Sequence, residues 1–301
     1  MRLGTRGSAL ALAQARLVAD ALDGAEIVAI KTSGDRSAAG GDKARFVREI
    51  ERALLDGEVD LGVHSAKDVP TDLPDGLEIA GVLSREDPAD CFVGAAGSLA
   101  EIPAGARIGT ASLRRRAQLL AASPDLEIAE LRGNVDTRLR RLRDGDFDGI
   151  VLATAGLRRL GRADEIAFRF STEEMTPACG QGALALEARS GDAGATRAVS
   201  SLTDRAALVE LTAERAAVAE LDATCHTPVG VNARLDGDEL SVEAFVGLPD
   251  GSEWVRDTVR RPAQDPAQVG RWLAGRLLAA GAGELLDRTD AGRAPRPGDH
   301  V

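Results

Sequence analysis

Short apolar runs alternate with helical patterns along most of the chain, and this alternation narrows the possible folds more than any other feature. Residues 59–64 and 149–153, for example, read as buried strands with helical spacing of apolar residues on either side. Such alternation predicts α/β architecture with largely parallel sheets. The pattern breaks at Pro70 and Pro74 and resumes near residue 107, so we expect two units of this kind.

The last third of the chain follows another pattern. A helical stretch over 204–221 is followed by apolar runs separated by Asp-Gly pairs in LDGDEL and LPDGSE, which predict hairpins. One amphipathic helix carrying Trp272 is expected over 266–286. We therefore expect a small α+β unit after about residue 205.

Length and composition exclude several classes of protein. The 301 residues are enough for two or three domains, and 44% hydrophobic and 28% charged residues are ordinary for a globular chain. No apolar run approaches the roughly 18 residues of a membrane helix, and the opening residues lack the apolar centre of a signal peptide, so we expect a cytoplasmic protein with no membrane contact. Three scattered cysteines and three distant histidines favour neither a disulfide framework nor a metal site.

Positive charge is concentrated in one part of an acidic chain. The net charge is −11, yet twelve arginines face only seven acidic residues between 105 and 162. The overall charge repels nucleic acids, whereas this segment predicts a local anion site. The helix-surface arginines Arg140, Arg141 and Arg143 are expected to form ordinary ion pairs with nearby acids.

A second set of basic and hydroxyl residues follows strand ends, where ligands bind in open α/β sheets. Arg114, Arg115 and Arg132 lie in GTASLRRR and LRGN, close to Thr110 and Ser112 at a helix start. Guanidinium groups and helix-start N–H groups together suit carboxylates or phosphates, and composition alone does not choose between these anions.

The segment HSAKDVP follows another strand and carries Lys67 next to Asp68. A carboxylate in this position can stabilise a developing cation, or it can be part of a simple turn. His64 is expected to be a packed strand-end histidine. Cys225 lies in the loop ATCHTPVG, where its thiol can be exposed, whereas Cys91 and Cys179 are expected to be small buried side chains.

Long motifs in a characteristic order give the chain a resemblance to one family. They include RLGTRGSALALAQA, HSAKDVPTDLPDGL, IGTASLRRRAQL, LRGNVDTRLRRL, GIVLATAGLRRLG and PACGQGALALEAR. Nearly end to end, the chain resembles the porphobilinogen deaminases. The resemblance implies two α/β domains like type II periplasmic binding proteins, with a cleft between them, plus a small C-terminal α+β domain. The domains are expected at 1–85 with 183–201, at 88–178, and at 205–301, the last carrying the cysteine loop.

The same resemblance implies an activity and a set of roles. Family members join four porphobilinogen molecules head to tail into hydroxymethylbilane, release ammonia, and are mostly monomers. They carry a dipyrromethane cofactor attached through a thioether, which matches Cys225 here, and their catalytic aspartate matches Asp68. The positions that match cofactor contacts are Ser65, Lys67, Thr110, Ser112, Arg114, Arg115 and Arg132. The positions that match substrate contacts are Arg6, Ser8, Arg138 and Arg159.

Two segments depart from the family pattern. The cysteine loop commonly reads GGCQVP, whereas Ala223 and Thr224 precede Cys225 here and His226 and Thr227 follow it. A left-handed backbone at Thr224 would be costly. The GKGLF segment of the family appears as GDKARF, with Asp42, Lys43 and Arg45.

Two other classes compete with an enzyme. An anion-binding protein of the same two-domain shape would use the arginine cleft without needing Asp68 or a modified Cys225. A nucleic-acid binder would use the basic segment, but aromatic residues are only 3% and tyrosine is absent, which leaves few stacking surfaces.

Overall fold

The computed structural model describes residues 1–31, 44–224 and 227–291. Within these ranges the chain forms thirteen strands and nine α-helices. The strands are β1 Arg2–Arg6, β2 Glu26–Ile30, β3 Leu61–Ser65, β4 Leu77–Val82, β5 Asp90–Gly94, β6 Arg107–Gly109, β7 Glu127–Ala129, β8 Gly149–Ala153, β9 Phe168–Arg169, β10 Leu184–Arg189, β11 Val229–Asp236, β12 Glu239–Gly247 and β13 Trp254–Pro262. The helices are α1 Ala9–Ala21, α2 Ala44–Leu55, α3 Leu113–Ala122, α4 Val135–Arg143, α5 Thr154–Arg159, α6 Ala193–Ser200, α7 Arg205–Glu220, α8 Pro266–Ala279 and α9 Ala282–Ala291.

Two mixed sheets of five strands form the first two thirds of the fold. The first has the order β2-β1-β3-β10-β4, and the second has the order β7-β6-β8-β5-β9. In each sheet one strand runs against its neighbours, β10 in the first and β5 in the second, and the other four share a direction. The α/β class with largely parallel sheets is therefore confirmed.

Helices cover both faces of the first sheet. Val18 and Ala19 of α1 pack with Leu3, Leu61 and Val63 of the sheet. On the other face, α2 packs close to the backbone, because β1 and β3 carry glycines there. This tight layer lies directly beneath the strand that ends in Ser65.

The third sheet, β11-β12-β13, is antiparallel and packs against α7, α8 and α9. Its first turn pairs Asp236 with Glu239 around Gly237, which adopts a φ of 59°. The expected hairpins are thus confirmed. The single helix expected over 266–286 was wrong: α8 ends at Ala279, and Gly281, with a φ of 100°, allows the chain to turn before α9.

The polypeptide passes between the first two sheets twice, after β4 and again before β10. Both crossings meet at the buried carboxylate of Glu214 on α7. Nη1 of Arg85, on the first crossing, lies 2.6 Å from Oε1 of Glu214, and the backbone N of Gly180, on the second, donates to Oε2 at 2.6 Å. Since the N–H of Ala233 also donates to this carboxylate at 2.7 Å, one side chain ties both crossings to the third sheet.

The contact between α7 and α8 gives a test of the fold. A Cβ added at Gly270 would overlap the carbonyl oxygen of Ala213, whereas a Cβ at the exposed Gly275 of the same helix meets nothing within 4 Å. We expect Gly270→Ala to lower the free energy of unfolding by about 1–3 kcal/mol through overpacking. Gly275→Ala should raise it by about 0.5–1 kcal/mol, because alanine is the better helix former. Urea denaturation of both variants measures the two effects, and equal effects would contradict this packing.

Candidate active site

Four of the residues singled out by the sequence line one cavity of about 50 Å³ at the edge of the first sheet: Arg6, Ser8, Ser65 and Asp68. Arg6 is the last residue of β1, and Ser8 is the N-cap of α1, where its Oγ accepts from the N–H of Ala11 at 3.3 Å. Arg6 and Ser8 are close because the loop that follows β1 ends at Ser8, which caps the first turn of α1.

Gln14 also lines this cavity, and sequence reasoning missed it. Its side chain is 4% exposed, and its Nε2 donates to Oγ of Ser65 at 2.9 Å. A polar residue on the otherwise apolar, buried stripe of α1 was the available signal. Gln14 thereby holds the hydroxyl of Ser65 at the end of β3.

Lys67 and Asp68 lie in a short 3₁₀ turn over Ala66–Asp68 that directly follows β3. The second crossing packs against this turn: a Cβ added at Gly180, whose φ is 71°, would lie 2.8 Å from the backbone N of Lys67. Nζ of Lys67 donates to Oε1 of Gln181 at 3.3 Å. The turn beside Asp68 is therefore supported by the chain that returns from the second sheet.

Arg114 and Arg115 bind the buried carboxylate of Asp90 at the start of β5. Nη1 of Arg114 lies 2.7 Å from Oδ2, and Nη2 of Arg115 lies 2.7 Å from Oδ1. Gln181 donates to the same carboxylate at 2.9 Å. Burial alone would raise the pKa of Asp90, but the two guanidinium groups and the hydrogen bonds hold it well below its ordinary value. Both arginines are about 5% exposed, so their contact with a ligand stays a prediction.

Thr110 and Ser112 lie at the start of α3, as expected. Oγ1 of Thr110 accepts from the N–H of Ser112 at 3.2 Å, and Ser112 caps the helix by accepting from the N–H of Arg115 at 3.4 Å. Thr110 is buried and Ser112 half-buried. These hydroxyls thus shape the end of β6.

Arg132, Arg138 and Arg159 are distributed around the second sheet. Arg132 is exposed and its Nε donates to Glu130 at 2.7 Å. Nε of Arg138 donates to the carbonyl oxygen of Gly133 at 2.8 Å, and Nη2 of Arg159 donates to that of Gly182 at 2.6 Å.

Charged groups from both of the first two sheets interact with Arg138. Burial lowers the pKa of Arg138 to about 10, with Arg115 and Arg132 acting in the same direction and Asp68 opposing them. Arg138 therefore lies within electrostatic range of two other guanidinium groups of the second sheet and of the Asp68 carboxylate from the first. Such an arrangement favours a ligand that carries several carboxylates.

Two of the three surface arginines form the expected ion pairs, whereas the exposed Arg140 forms none with another described residue, so the prediction was wrong for Arg140. Arg141 pairs with Asp146 at 2.7 Å and Arg143 with Glu165 at 2.8 Å, so these side chains are bound on the outside of α4. His64 is buried, as predicted, and so is Cys91. Cys179 is only half-buried, so the prediction that it is buried was wrong.

Cys225 and His226 lie outside the described residues, and so do Asp42 and Lys43 and the side chain of Arg45. The residues flanking Cys225 are described. Oγ1 of Thr227 donates to the carbonyl oxygen of Thr224 at 2.7 Å and accepts from its N–H at 3.1 Å. Thr224 is not among the described residues with a positive φ, so the costly left-handed backbone does not occur at this position.

Comparison with known families gives two matches. Residues 1–197 match the family model described as porphobilinogen deaminase, dipyrromethane cofactor binding domain, and residues 208–279 match the porphobilinogen deaminase C-terminal domain. The chain is 43% identical to a porphobilinogen deaminase of Campylobacter concisus, with 96% of this chain and 98% of the relative covered. It is 46% identical to one of Roseiflexus sp., with 94% and 97% covered.

Similarity to solved structures is weaker. A TRAP periplasmic solute binding protein from Desulfovibrio salexigens has a TM-score of 0.40 and 10% identity, with 67% of this chain and 71% of that chain covered. An arginine-specific periplasmic binding protein from Salmonella typhimurium has a TM-score of 0.38 and 13% identity, with 67% and 90% covered. These values are too low to bear on the function of the chain.

Asp90 gives a test of the site's framework. We expect Asp90→Asn to lower the free energy of unfolding by about 3–5 kcal/mol at neutral pH, because two buried guanidinium groups lose their counter-charge. Since the pKa of Asp90 is lowered by folding, this stability is present above the ordinary carboxyl pKa and is lost as the pH falls through the folded value. The measurement is denaturant unfolding of wild type and variant between neutral and acid pH.

Asp257→Asn is the matched control, since Asp257 pairs with Arg276 in a solvent-exposed position. Its loss of stability should be far smaller. Comparable losses in the two variants would show that the Asp90 pair is not a buried framework contact.

Proposed function

The chain belongs to the porphobilinogen deaminase family, and on that premise we propose that Asp68 is its catalytic carboxylate. The enzyme joins porphobilinogen molecules into hydroxymethylbilane in tetrapyrrole biosynthesis. The alternatives of an anion-binding protein without chemistry and of a nucleic-acid binder are set aside by this membership. The observation that supports the role of Asp68 is its place in the cavity between β1 and β3, within electrostatic range of Arg138 from the second sheet.

A carboxylate in this place suits the chemistry of the reaction. Loss of ammonia from the substrate leaves a positive charge, and an ionised carboxylate aimed at that charge lowers the barrier. The carboxylate also accepts hydrogen bonds from pyrrole N–H groups and can hold a proton during the exchange. Asp68 therefore orients the ring that reacts and stabilises the charge that forms.

The described residues fit a dipyrromethane cofactor. The group carries several carboxylates, and the cleft offers guanidinium groups, hydroxyl groups and one ammonium group. Nε of Arg138 donates to a neutral carbonyl oxygen, and burial together with neighbouring positive charges lowers the pKa of this arginine, so an anionic ligand would relieve the repulsion. When bound, the cofactor supplies the ring to which the first substrate is joined.

We assign the residues around it by position. Ser65, Lys67, Thr110, Ser112 and Arg132 would hold the cofactor, with Arg114 and Arg115 fixing the start of α3 through Asp90. The substrate carboxylates would be held by Arg6, Ser8, Arg138 and Arg159. Cys225 would carry the thioether, presented by the turn that Thr224 and Thr227 close.

The organisation of the chain is part of the proposal. The three sheets would correspond to three domains, at 1–85 with 183–201, at 88–178 and at 205–301. We propose that the enzyme acts as a monomer, as most members of the family do. We also propose that it acts in the cytoplasm, since Cys91 and Cys179 are free thiols, as in a reducing compartment. Among the helices of the described residues, none is both long and apolar enough to cross a membrane.

The role of Asp68 is tested by ammonia release from porphobilinogen. We expect Asp68→Ala to reduce turnover at least about 100-fold, as removal of a charge-stabilising group does. Asp75→Ala is the matched control, because Asp75 is an exposed carboxylate outside the cavity. Near-normal turnover in Asp68→Ala, with the cofactor confirmed by intact mass, would rule out this assignment.

The attachment site is tested by mass. After incubation with porphobilinogen, the intact mass of the wild-type protein should exceed the mass calculated from its sequence by two pyrrole units. The Cys225→Ser variant should lack this excess. Cys179→Ser is the control thiol and should keep it. An adduct that persists in Cys225→Ser would place the cofactor on another residue.

The arginine set is tested within α4. Arg138→Lys should raise the KM for porphobilinogen about tenfold, because lysine cannot make a bidentate contact with a carboxylate. Arg143→Lys, on the outer face of the same helix, should leave KM unchanged. Equal KM values in the two variants would remove Arg138 from the substrate contacts.

A further inference from the structure

Three ionisable side chains are buried together beneath the strand that leads to Asp68. They are His64 on β3, Glu187 on β10 and Glu51 on α2, with exposed fractions of 5%, 0% and 7%. The chemistry described above uses none of them. We call this group the His64 cluster.

The members of the cluster interact directly. Nε2 of His64 lies 3.0 Å from Oε2 of Glu187. Burial raises the pKa of Glu51 and the charge of Glu187 raises it further, whereas His64 and Arg48 lower it. Glu187 thus contacts the imidazole and Glu51 lies within electrostatic range of both, so a proton gained by one member changes the electrostatic environment of the other two.

The cluster is poorly explained as packing alone. Within the described residues, Nε2 of His64, both carboxylate oxygens of Glu187 and Oε1 of Glu51 are buried without a hydrogen bond of regular geometry. Buried polar groups in this state are unfavourable, and apolar residues of similar volume would often be at least as stable. Groups retained under such conditions call for a functional explanation.

The backbone around the cluster accommodates it. A Cβ added at Gly62 would lie 2.7 Å from Nε2 of His64, so only glycine leaves room for the ring on this face of β3. The pairing of β10 with β4 shifts register between Leu186 and Glu187. An irregularity of this kind redirects side chains and is common next to active sites.

The cluster opens towards the catalytic cavity through His64, which lines it together with Arg6 and Asp68. Among the described residues, Arg48 on α2 acts on Glu51, and Arg215 on α7 interacts with Glu187. With the imidazole protonated to the imidazolium form, the two carboxylates leave a net charge of −1 behind the cavity that Asp68 lines. A second proton removes this charge.

We propose that His64 is a positioning residue for the Asp68 cavity, held by Glu187, and that the protonation of the cluster formed with Glu51 sets the charge behind this cavity. The inference rests on the proposed role of Asp68. Because positive charge develops in the cavity when ammonia leaves, the negative charge of the cluster assists turnover and does not affect substrate binding to the same extent.

The test compares Glu187→Gln with Ile50→Val on cofactor-loaded protein. Ile50 is fully buried in the same layer and has no ionisable group, so its variant reproduces the packing defect alone. Glu187→Gln should lower kcat about tenfold, the effect of one charge-assisted contact, with KM within about twofold of wild type. The acid limb of its kcat profile between pH 6 and 9 should be displaced, whereas Ile50→Val should keep the wild-type profile at a lower Tm.

A second measurement does not depend on activity. The chain has only three histidines, so His64→Gln assigns the ring signals of His64 in an NMR titration, or the resonances are assigned by through-bond experiments if that variant does not fold. We expect these signals to follow a different pH curve in Glu187→Gln and an unchanged one in Ile50→Val.

The outcomes are distinct. Superimposable kcat profiles and identical ring titrations in wild type and Glu187→Gln would overturn the proposal and leave the cluster a packing feature. A failure of the proposed function would appear instead as normal turnover in Asp68→Ala, and the ring titration would still report on the cluster.

Discussion

The contact on which the rest of the site depends is the one that Asp90 makes with two successive arginines. A carboxylate with no exposure needs full compensation, and Arg114, Arg115 and the amide of Gln181 supply it. Since both arginines lie in the first turn of α3, this contact fixes the helix start that presents Ser112. Since Gln181 lies on the second crossing and accepts from Lys67, the same contact extends to the turn that carries Asp68.

The distribution of charge explains how an acidic protein can bind a polyanion. Acidic residues dominate elsewhere in the chain, while Arg138 lies within electrostatic range of both Asp68 and the guanidinium group of Arg132. The mutual repulsion of the two guanidinium groups is unfavourable in the free protein and is relieved when carboxylates bind. Arginine suits this role better than lysine, because its planar fork matches carboxylate geometry.

Local signals made much of this structure predictable. Ser112 was placed at a helix start because capping acts over three residues, and the Asp-Gly turns were found because a two-residue loop dictates its own backbone. Contacts between distant residues left no such signal. The contact between Asp90 and Arg114 joins residues 24 positions apart, and the contact between Gln14 and Ser65 joins residues 51 positions apart. The contact between His64 and Glu187 joins two different strands. The break at Gly281 was missed because a glycine inside a helical pattern is also compatible with a continuous helix.

The position of β10 has a consequence for biosynthesis. All strands of the second sheet lie between residues 90 and 169, whereas β10, which separates β3 from β4 in the first sheet, lies at Leu184–Arg189. As the chain leaves the ribosome from its N-terminus, the second sheet is therefore complete while the first still lacks an interior strand. Until β10 arrives, β3 and β4 present unpaired edges, which can pair with other chains. The half of the site that carries Asp68 is thus the last of the two to close around its core.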